Sequence, residues 1–301
     1  MDGANVASAA STGKASSLGQ RVVSALILLP ILVGLAYWSV WTTALAVALA
    51  TVLALSELYA ALRQANYQPR TWVGIATGLL ICGAMTFQGR LPFDPLILVI
   101  ALSVLLALLA EVFRSDRSQS LTAWAFTFAG AYYVAGLLSF YVLLRDLSGP
   151  LLPTAWLAGL NLPPGAAWVF TVMAITWLQD SGAYFAGRAF GRHKMAPNLS
   201  PKKTWEGAAG GLIAGVLGAI LAMLLLGLPI GYGGAVLLGV AGSIAGMLGD
   251  LAESLLKRQI GVKDAGSLIP GHGGILDRAD SMLFAGPVLY MLILLLTGGN
   301  A

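Results

Sequence analysis

The sequence predicts an all-α protein, a polytopic transmembrane helix bundle of about nine spans with a cytosolic N-terminus, on three observations. Only 10% of the 301 residues are charged and 58% are hydrophobic, whereas a water-covered domain carries about 25% charged residues. Apolar runs near the roughly 20 residues that cross a bilayer recur along nearly the whole chain. Basic residues gather in alternate connections, as they do when a chain weaves through a membrane.

Residues 1–20 are small, polar and aperiodic and read as a disordered cytosolic tail. Their small-residue stretch precedes the first apolar run, the reverse of a cleavable signal, so that run reads as an uncleaved span. Spans are expected at 22–39, 41–62, 71–88, 95–113 and 121–144, then at 166–187, 207–228, 232–251 and 281–298. Residues 21–165 thus form an N-terminal group of five spans, and 166–301 a C-terminal catalytic region of four spans with long cytosolic loops. With the N-terminus inside, 15 of the 17 basic residues face the cytosol, Arg90 and Arg145 being the exceptions. The bias towards positive cytosolic loops fixes that orientation. It also accounts for much of the net charge of +4. An integral, multi-pass protein of the inner or plasma membrane follows, its active site facing the cytosol.

The single Cys82 lies in an apolar run, and the two histidines are His193 and His272. Disulfide frameworks, cysteine metal sites and histidine-rich metal centres are excluded; a hard cation held by carboxylates is not. No nucleic-acid motif is present, and a homodimer is compatible with the sequence.

Glu57 and Glu111 fall near the cytosolic ends of spans two and four and read as groups reaching the headgroup layer. Asp180 differs: it lies within an otherwise apolar helix, where a charge costs about 2.5–3.5 kcal/mol, and intramembrane carboxylates are by default functional. Ser200-Pro-Lys-Lys-Thr-Trp-Glu-Gly207 follows, with Pro201 breaking any helix and Lys202, Lys203 and Thr204 just ahead of span seven. Paired lysines, a hydroxyl and the free N–H groups of a helix start suit a polyphosphate. From Asp250 to Asp280, five carboxylates (Asp250, Glu253, Asp264, Asp277, Asp280) interleave with Lys257, Arg258, Lys263 and Arg278. Helical spacing puts Asp250, Glu253 and Lys257 on one face and Asp277 with Asp280 on another. Pro-Gly-His272-Gly-Gly between them permits close backbone approach to a ligand.

Carboxylates beside lysines and arginines, without a cysteine or a histidine triad, point to Mg²⁺-dependent chemistry on phosphates. A phosphate nucleophile is already largely anionic near neutral pH, so no histidine base is needed.

The run Ser254-x-Leu256-Lys257-Arg258-x₄-Lys263-Asp264-x-Gly266-x₂-Ile269-Pro270-x-His272-Gly273-Gly274-Ile275-x-Asp277-Arg278-Ala279-Asp280 closely resembles the signature of phosphatidate cytidylyltransferases, the CDP-diacylglycerol synthases. Asp180-Ser181-x-Ala183-Tyr184 and Ser200–Gly207 are similar to the family's upstream blocks, so the resemblance covers roughly residues 170–285. Ala279 departs from it, standing where a larger apolar residue is usual. The resemblance implies the reaction CTP + phosphatidate → CDP-diacylglycerol + pyrophosphate, in phospholipid biosynthesis, with Mg²⁺ accompanied by K⁺. It makes Asp250 and Asp277 the metal carboxylates, and these two with Lys263 and Arg278 the catalytic set. Lys202, Lys203 and Thr204 are assigned to the CTP phosphates, Ser200 to substrate binding, and Lys257, Arg258, Lys263 and Arg278 to balancing triphosphate and phosphatidate charge. Asp180, Asp264, His272 and Asp280 complete the substrate site. Two other readings compete: a CTP-dependent polyprenol or phytol kinase, which would release CDP, and an ion-coupled transporter using Asp180 and Asp250.

Overall fold

The computed structural model describes residues 18–262, 266 and 273–299, with side chains from Leu26 onward. The sequence-predicted Lys263, Asp264 and His272 lie outside the described residues. Helices stand at each of the nine expected positions. In chain order they are α1 (Leu18–Trp38), α2 (Val40–Gln64), α3 (Thr71–Thr86), α4 (Pro95–Val112), α5 (Ser120–Ala131), α6 (Phe140–Asp146), α7 (Pro164–Phe190), α8 (Trp205–Leu226), α9 (Gly231–Ile260) and α10 (Leu276–Leu296). A π-helical turn over Tyr132–Gly136 joins α5 to α6 in one span. Among the described residues, six segments are long and apolar enough to cross a membrane by length and composition: α2, α4, α5–α6, α8, α9 and α10. This is an integral membrane protein, and its outer surface bears it out. Leu45, Ile97, Leu105, Leu217 and Leu295 are exposed on helix faces that water would penalise and hydrocarbon does not.

Three features matter for the site: two helices run past the expected span ends through residues whose spacing already reads as helical, and a ribbon follows α7. Helix α9 does not end near residue 251 but runs on through Lys257 and Arg258 to Ile260. Helix α10 begins at Leu276, five residues before the expected start, so Asp277 and Asp280 lie on its first turns. Between α7 and α8 the chain forms an antiparallel ribbon of β1 (Lys194–Ala196) and β2 (Ser200–Thr204), which pairs Lys194 with Thr204.

The four C-terminal helices pack through small residues, which let backbones approach where no hydrophobic force separates protein from lipid. Helices α7 and α8 are the tightest pair: a Cβ on Gly182 would overlap Ala214, and one on Gly210 would overlap Ala186. The N-terminal helices form a second layer around Tyr59, which is fully buried and donates to the Thr127 carbonyl at 2.7 Å. The layers share one core, in which Leu55, Val134 and Leu144 meet Trp168, Ile175, Leu283 and Leu289. Polar ties cross between them as well. The Tyr141 hydroxyl donates across to the Met282 carbonyl at 3.2 Å; within the N-terminal layer, Arg145 donates to the Ala36 and Tyr37 carbonyls, which the end of α1 leaves without intrahelical partners. Replacing Gly182 with Val is expected to destabilise the bundle by about 1–3 kcal/mol through overpacking against α8. Unfolding titrations in mixed micelles will check this.

Candidate active site

The site lies where four helices reach the basic end of the bundle. At 1.5 Å per residue, Asp250 stands about 30 Å up α9 from Gly231, and Asp180 about 25 Å up α7 from Pro164. Asp277 is about as far from Leu296 on α10, so all three carboxylates arrive near one edge of a hydrocarbon layer about 30 Å thick. Gly249 allows α10 to cross α9 closely, since a Cβ there would strike the Asp280 carbonyl. That crossing brings Asp250 and Asp280 together from different helices. Asp180 completes the group: the Ser281 hydroxyl donates to its carboxylate at 3.3 Å, and Asp250, Lys203 and Arg278 are its electrostatic neighbours.

Two lysines hold the carboxylates. Lys203, carried by the ribbon just ahead of α8, pairs with Asp250 at 2.7 Å. Lys257 pairs with Glu253 one turn earlier on α9 and with Asp277 on α10, both at 2.7 Å. Glu253 is 1% exposed and Asp277 10% exposed in their side chains, so Lys257 is a bridge in a largely dry setting. The other Asp277 oxygen accepts the Gly274 N–H at 3.0 Å. Asp250 therefore gathers with Asp180 and Asp280, while Asp277 gathers with Lys257 and Glu253; Asp280, a neighbour of both Asp250 and Lys257, joins the two groups.

Other predicted residues sit at the rim. Lys202 is exposed on β2, and Arg258 donates to the Leu199 carbonyl at 3.4 Å, tying α9 to the ribbon. Ser200 opens β2. Thr204 is buried, and its hydroxyl caps α8 by accepting the Gly207 N–H at 3.1 Å, which orients the lysines ahead of it.

The N-terminal layer contributes two groups that sequence reasoning did not assign to the site. Glu57, expected at the headgroup layer, is instead 5% exposed and accepts the Leu276 N–H at 3.0 Å. Its position within a span was the available signal. Tyr133 rides on the π-helical turn, and its buried hydroxyl has Glu253 and Asp280 as electrostatic neighbours. Such turns often mark functional sites, but no residue pattern announces them. Glu111 is likewise buried, held between Arg70 at 3.0 Å and Arg114 at 3.1 Å, and ties the starts and ends of the N-terminal helices together.

The five carboxyl groups Asp180, Asp250, Glu253, Asp277 and Asp280 face Lys203, Lys257 and Arg278. An all-oxygen donor set of this kind suits a hard divalent cation. Among the described residues no three Asp, Glu, His or Cys side chains gather closely enough to enclose a metal ion by themselves. One or two of these carboxylates could hold a hard divalent cation only if substrate phosphates completed its shell, as is common for Mg²⁺.

Fold and site together define a polytopic membrane protein with a carboxylate-and-lysine centre at one edge of the bundle. Residues 19–296 match the model of the cytidylyltransferase family, and the chain belongs to that family. It is 47% identical over 131 residues to a phosphatidate cytidylyltransferase of Bacillus subtilis (strain 168), covering 44% of this chain and 49% of that protein. It is 35% identical over 295 residues to a phosphatidate cytidylyltransferase of Synechocystis sp., covering 92% of this chain and 97% of that protein. A third relative, the uncharacterized protein YnbB of Escherichia coli (strain K12), is 34% identical over 255 residues. The chain spans about half the length of several of these curated relatives, the Bacillus and Brucella proteins among them.

Removing one partner of a buried ion pair typically costs about 3–5 kcal/mol, because the other charge is stranded. Lys257→Met is expected to destabilise the protein on that scale, and adding Glu253→Gln to recover part of the loss. Thermal melts of the single and double variants in detergent will show whether the two changes are coupled.

Proposed function

We propose that this protein condenses CTP with phosphatidate to give CDP-diacylglycerol and pyrophosphate, on the cytosolic face of the inner or plasma membrane. The observation that carries this reading is the carboxylate-and-lysine centre at the membrane edge, where a water-soluble nucleotide and a membrane-bound phosphate can both arrive. Family membership and the names of the relatives support the same reaction. The basic connections gathered at that end of the bundle support the orientation.

In this reading an oxygen of the phosphatidate phosphate attacks the α-phosphorus of CTP. A new P–O bond forms, the bond to the bridging oxygen of the β-phosphate breaks, and pyrophosphate leaves with that oxygen. Asp250 and Asp277 would hold Mg²⁺, with K⁺ beside it; the bound cation would neutralise charge at the α-phosphate and on the departing pyrophosphate. The remaining work is positioning and charge balance, as in phosphoryl transfers generally. Lys202, Lys203, Ser200 and Thr204 lie around the start of α8, the side from which the triphosphate would be received. Lys257, Arg258, Lys263 and Arg278 offset phosphate charge, and Asp180, Asp264, His272 and Asp280 orient these groups. The nucleophile is an anion before it arrives, which suits a described site without a histidine base.

Purified protein given phosphatidate, Mg²⁺ and CTP labelled at the α-phosphate is expected to yield a labelled lipid; CTP labelled at the γ-phosphate should yield labelled pyrophosphate and unlabelled lipid. Lipid labelled from the γ-position would establish a kinase instead. Asp277→Asn is expected to lower turnover by about 10²-fold or more, the scale seen when a group stabilising transition-state charge is lost, with the variant still inserted and monodisperse. Chelation by EDTA should abolish turnover of the parent protein and added Mg²⁺ restore it.

A further inference from the structure

Glu57 stands on α2, in the half of the molecule to which the proposed reaction assigns no role, yet its side chain ends at the start of α10. The first N–H groups of a helix have no partners inside it and usually take them from a capping side chain just ahead. Helix α10 has no such cap: the residue in that position is Ile275, whose side chain offers no acceptor. The Glu57 carboxylate fills the vacancy from another helix, accepting the Leu276 N–H at 3.0 Å and placing a negative charge where the helix dipole favours one. The surrounding backbone is shaped to it. A Cβ on Gly274 would lie 2.5 Å from Glu57 Oε2, and a Cβ on Gly266 would overlap the same carboxyl group. Two glycines of the signature run are thus required by a side chain more than 200 residues earlier in the sequence.

The next residue after Leu276 is Asp277, which bonds Lys257 through one oxygen and the Gly274 N–H through the other. Gly274 therefore touches both carboxylates, and the first turn of α10 is fixed between them. We propose that Glu57 is a positioning residue for the reaction, a helix cap supplied in trans by α2 that sets the first turn of α10 and, through it, the placement of Asp277 against the reacting phosphates. The inference rests on the role given to Asp277 under the proposed function.

The test compares Glu57→Ala, Glu57→Gln, Gly274→Ala and the Glu57→Ala/Gly274→Ala double variant as full-length protein in detergent. Turnover, KM for CTP, and amide exchange at Leu276 are measured on each. A displacement of about 1 Å in a reacting group costs on the order of 10²-fold in rate. Glu57→Ala is therefore expected to lower kcat by about that factor while KM for CTP moves by less than about threefold, since the cap acts on the transition state and not on nucleotide capture. Glu57→Gln should restore most of the turnover, because its amide oxygen accepts the same N–H. Gly274→Ala should be impaired like Glu57→Ala, and the double variant no worse than either alone. Exchange at Leu276 should be faster in Glu57→Ala and near the parent rate in Glu57→Gln. Turnover of folded Glu57→Ala within about twofold of the parent would overturn the inference, as would Glu57→Gln being as damaging as Glu57→Ala. If Glu57→Ala does not fold, Gly274→Ala and Glu57→Gln decide by the same criteria. A parent protein that makes no labelled lipid would sink the reaction itself, while Leu276 exchange would still report whether Glu57 is the cap.

Discussion

Five carboxylates in a small volume at the edge of a hydrocarbon layer repel one another, and the rest of the C-terminal layer is arranged around holding them there. Burying a charge is costly unless it is paired and hydrogen-bonded, and here the pairing comes from two lysines placed by different means. Lys257 sits one helical turn after Glu253, so its reach to that carboxylate is set by α9 alone; its reach to Asp277 depends on α10 lying alongside. Lys203 reaches Asp250 only because the β1–β2 ribbon folds back over the end of α7. The Lys257 bridge is thus the interaction on which the α9–α10 geometry turns. The Lys203 pair ties the loop before α8 into the same arrangement.

The two halves of the chain divide the work unequally. The C-terminal half provides the described charged groups of the candidate site, apart from Glu57, while the N-terminal half is a brace. Its contacts with α10 fall at several heights: Glu57 at the first turn, Tyr141 to the Met282 carbonyl, and the Phe140 ring edge-on to Tyr290 at 5.6 Å. A site must be held within about 0.5 Å of its productive geometry by groups that are themselves locked in place. A helix fixed at its first turn, its middle and towards its far end cannot slide or swivel independently of α2 and α6. This gives the first five spans a purpose that hydropathy alone does not suggest.

The sequence made the membrane class and the approximate position of every helix legible, because a run of apolar residues near 20 long has few other uses. It also disclosed the charged stretch from Asp250 to Asp280, since carboxylates and lysines stand out against a chain 10% charged. What it concealed were matters of partnership. Nothing in the linear order says that Asp250 pairs with Lys203 and Asp277 with Lys257, because the first pair depends on where the β1–β2 ribbon places Lys203 and the second on how α9 crosses α10 at Gly249. The continuation of α9 to Ile260 was hidden by its polar composition, which resembles a loop when judged by hydropathy and a helix when judged by the spacing of Asp250, Glu253 and Lys257. Glu57 was read as a group at a helix end because a lone glutamate near a boundary has an innocent explanation. Its true neighbours lie on α10, out of reach of any local pattern.

For the proposed reaction, helix length limits the depth at which the two substrates can meet. A 30-residue helix such as α9 spans about 45 Å, well beyond a hydrocarbon layer of about 30 Å, so its last ten or so residues project into the headgroup region and water. Asp250 falls at the transition, and Lys257 lies about 10 Å further out along the same helix. The proposed substrates meet the protein from opposite sides of that line. A diacyl lipid cannot lift its phosphate far from the interface without exposing chain carbons at about 0.8 kcal/mol each, and a triphosphate cannot sink below it without losing its hydration. A centre deeper along α9 would exclude the nucleotide, and one beyond Ile260 would exclude the lipid. Charged residues confined to the last third of α9 and the first turns of α10 occupy the one band of depth that both substrates can share.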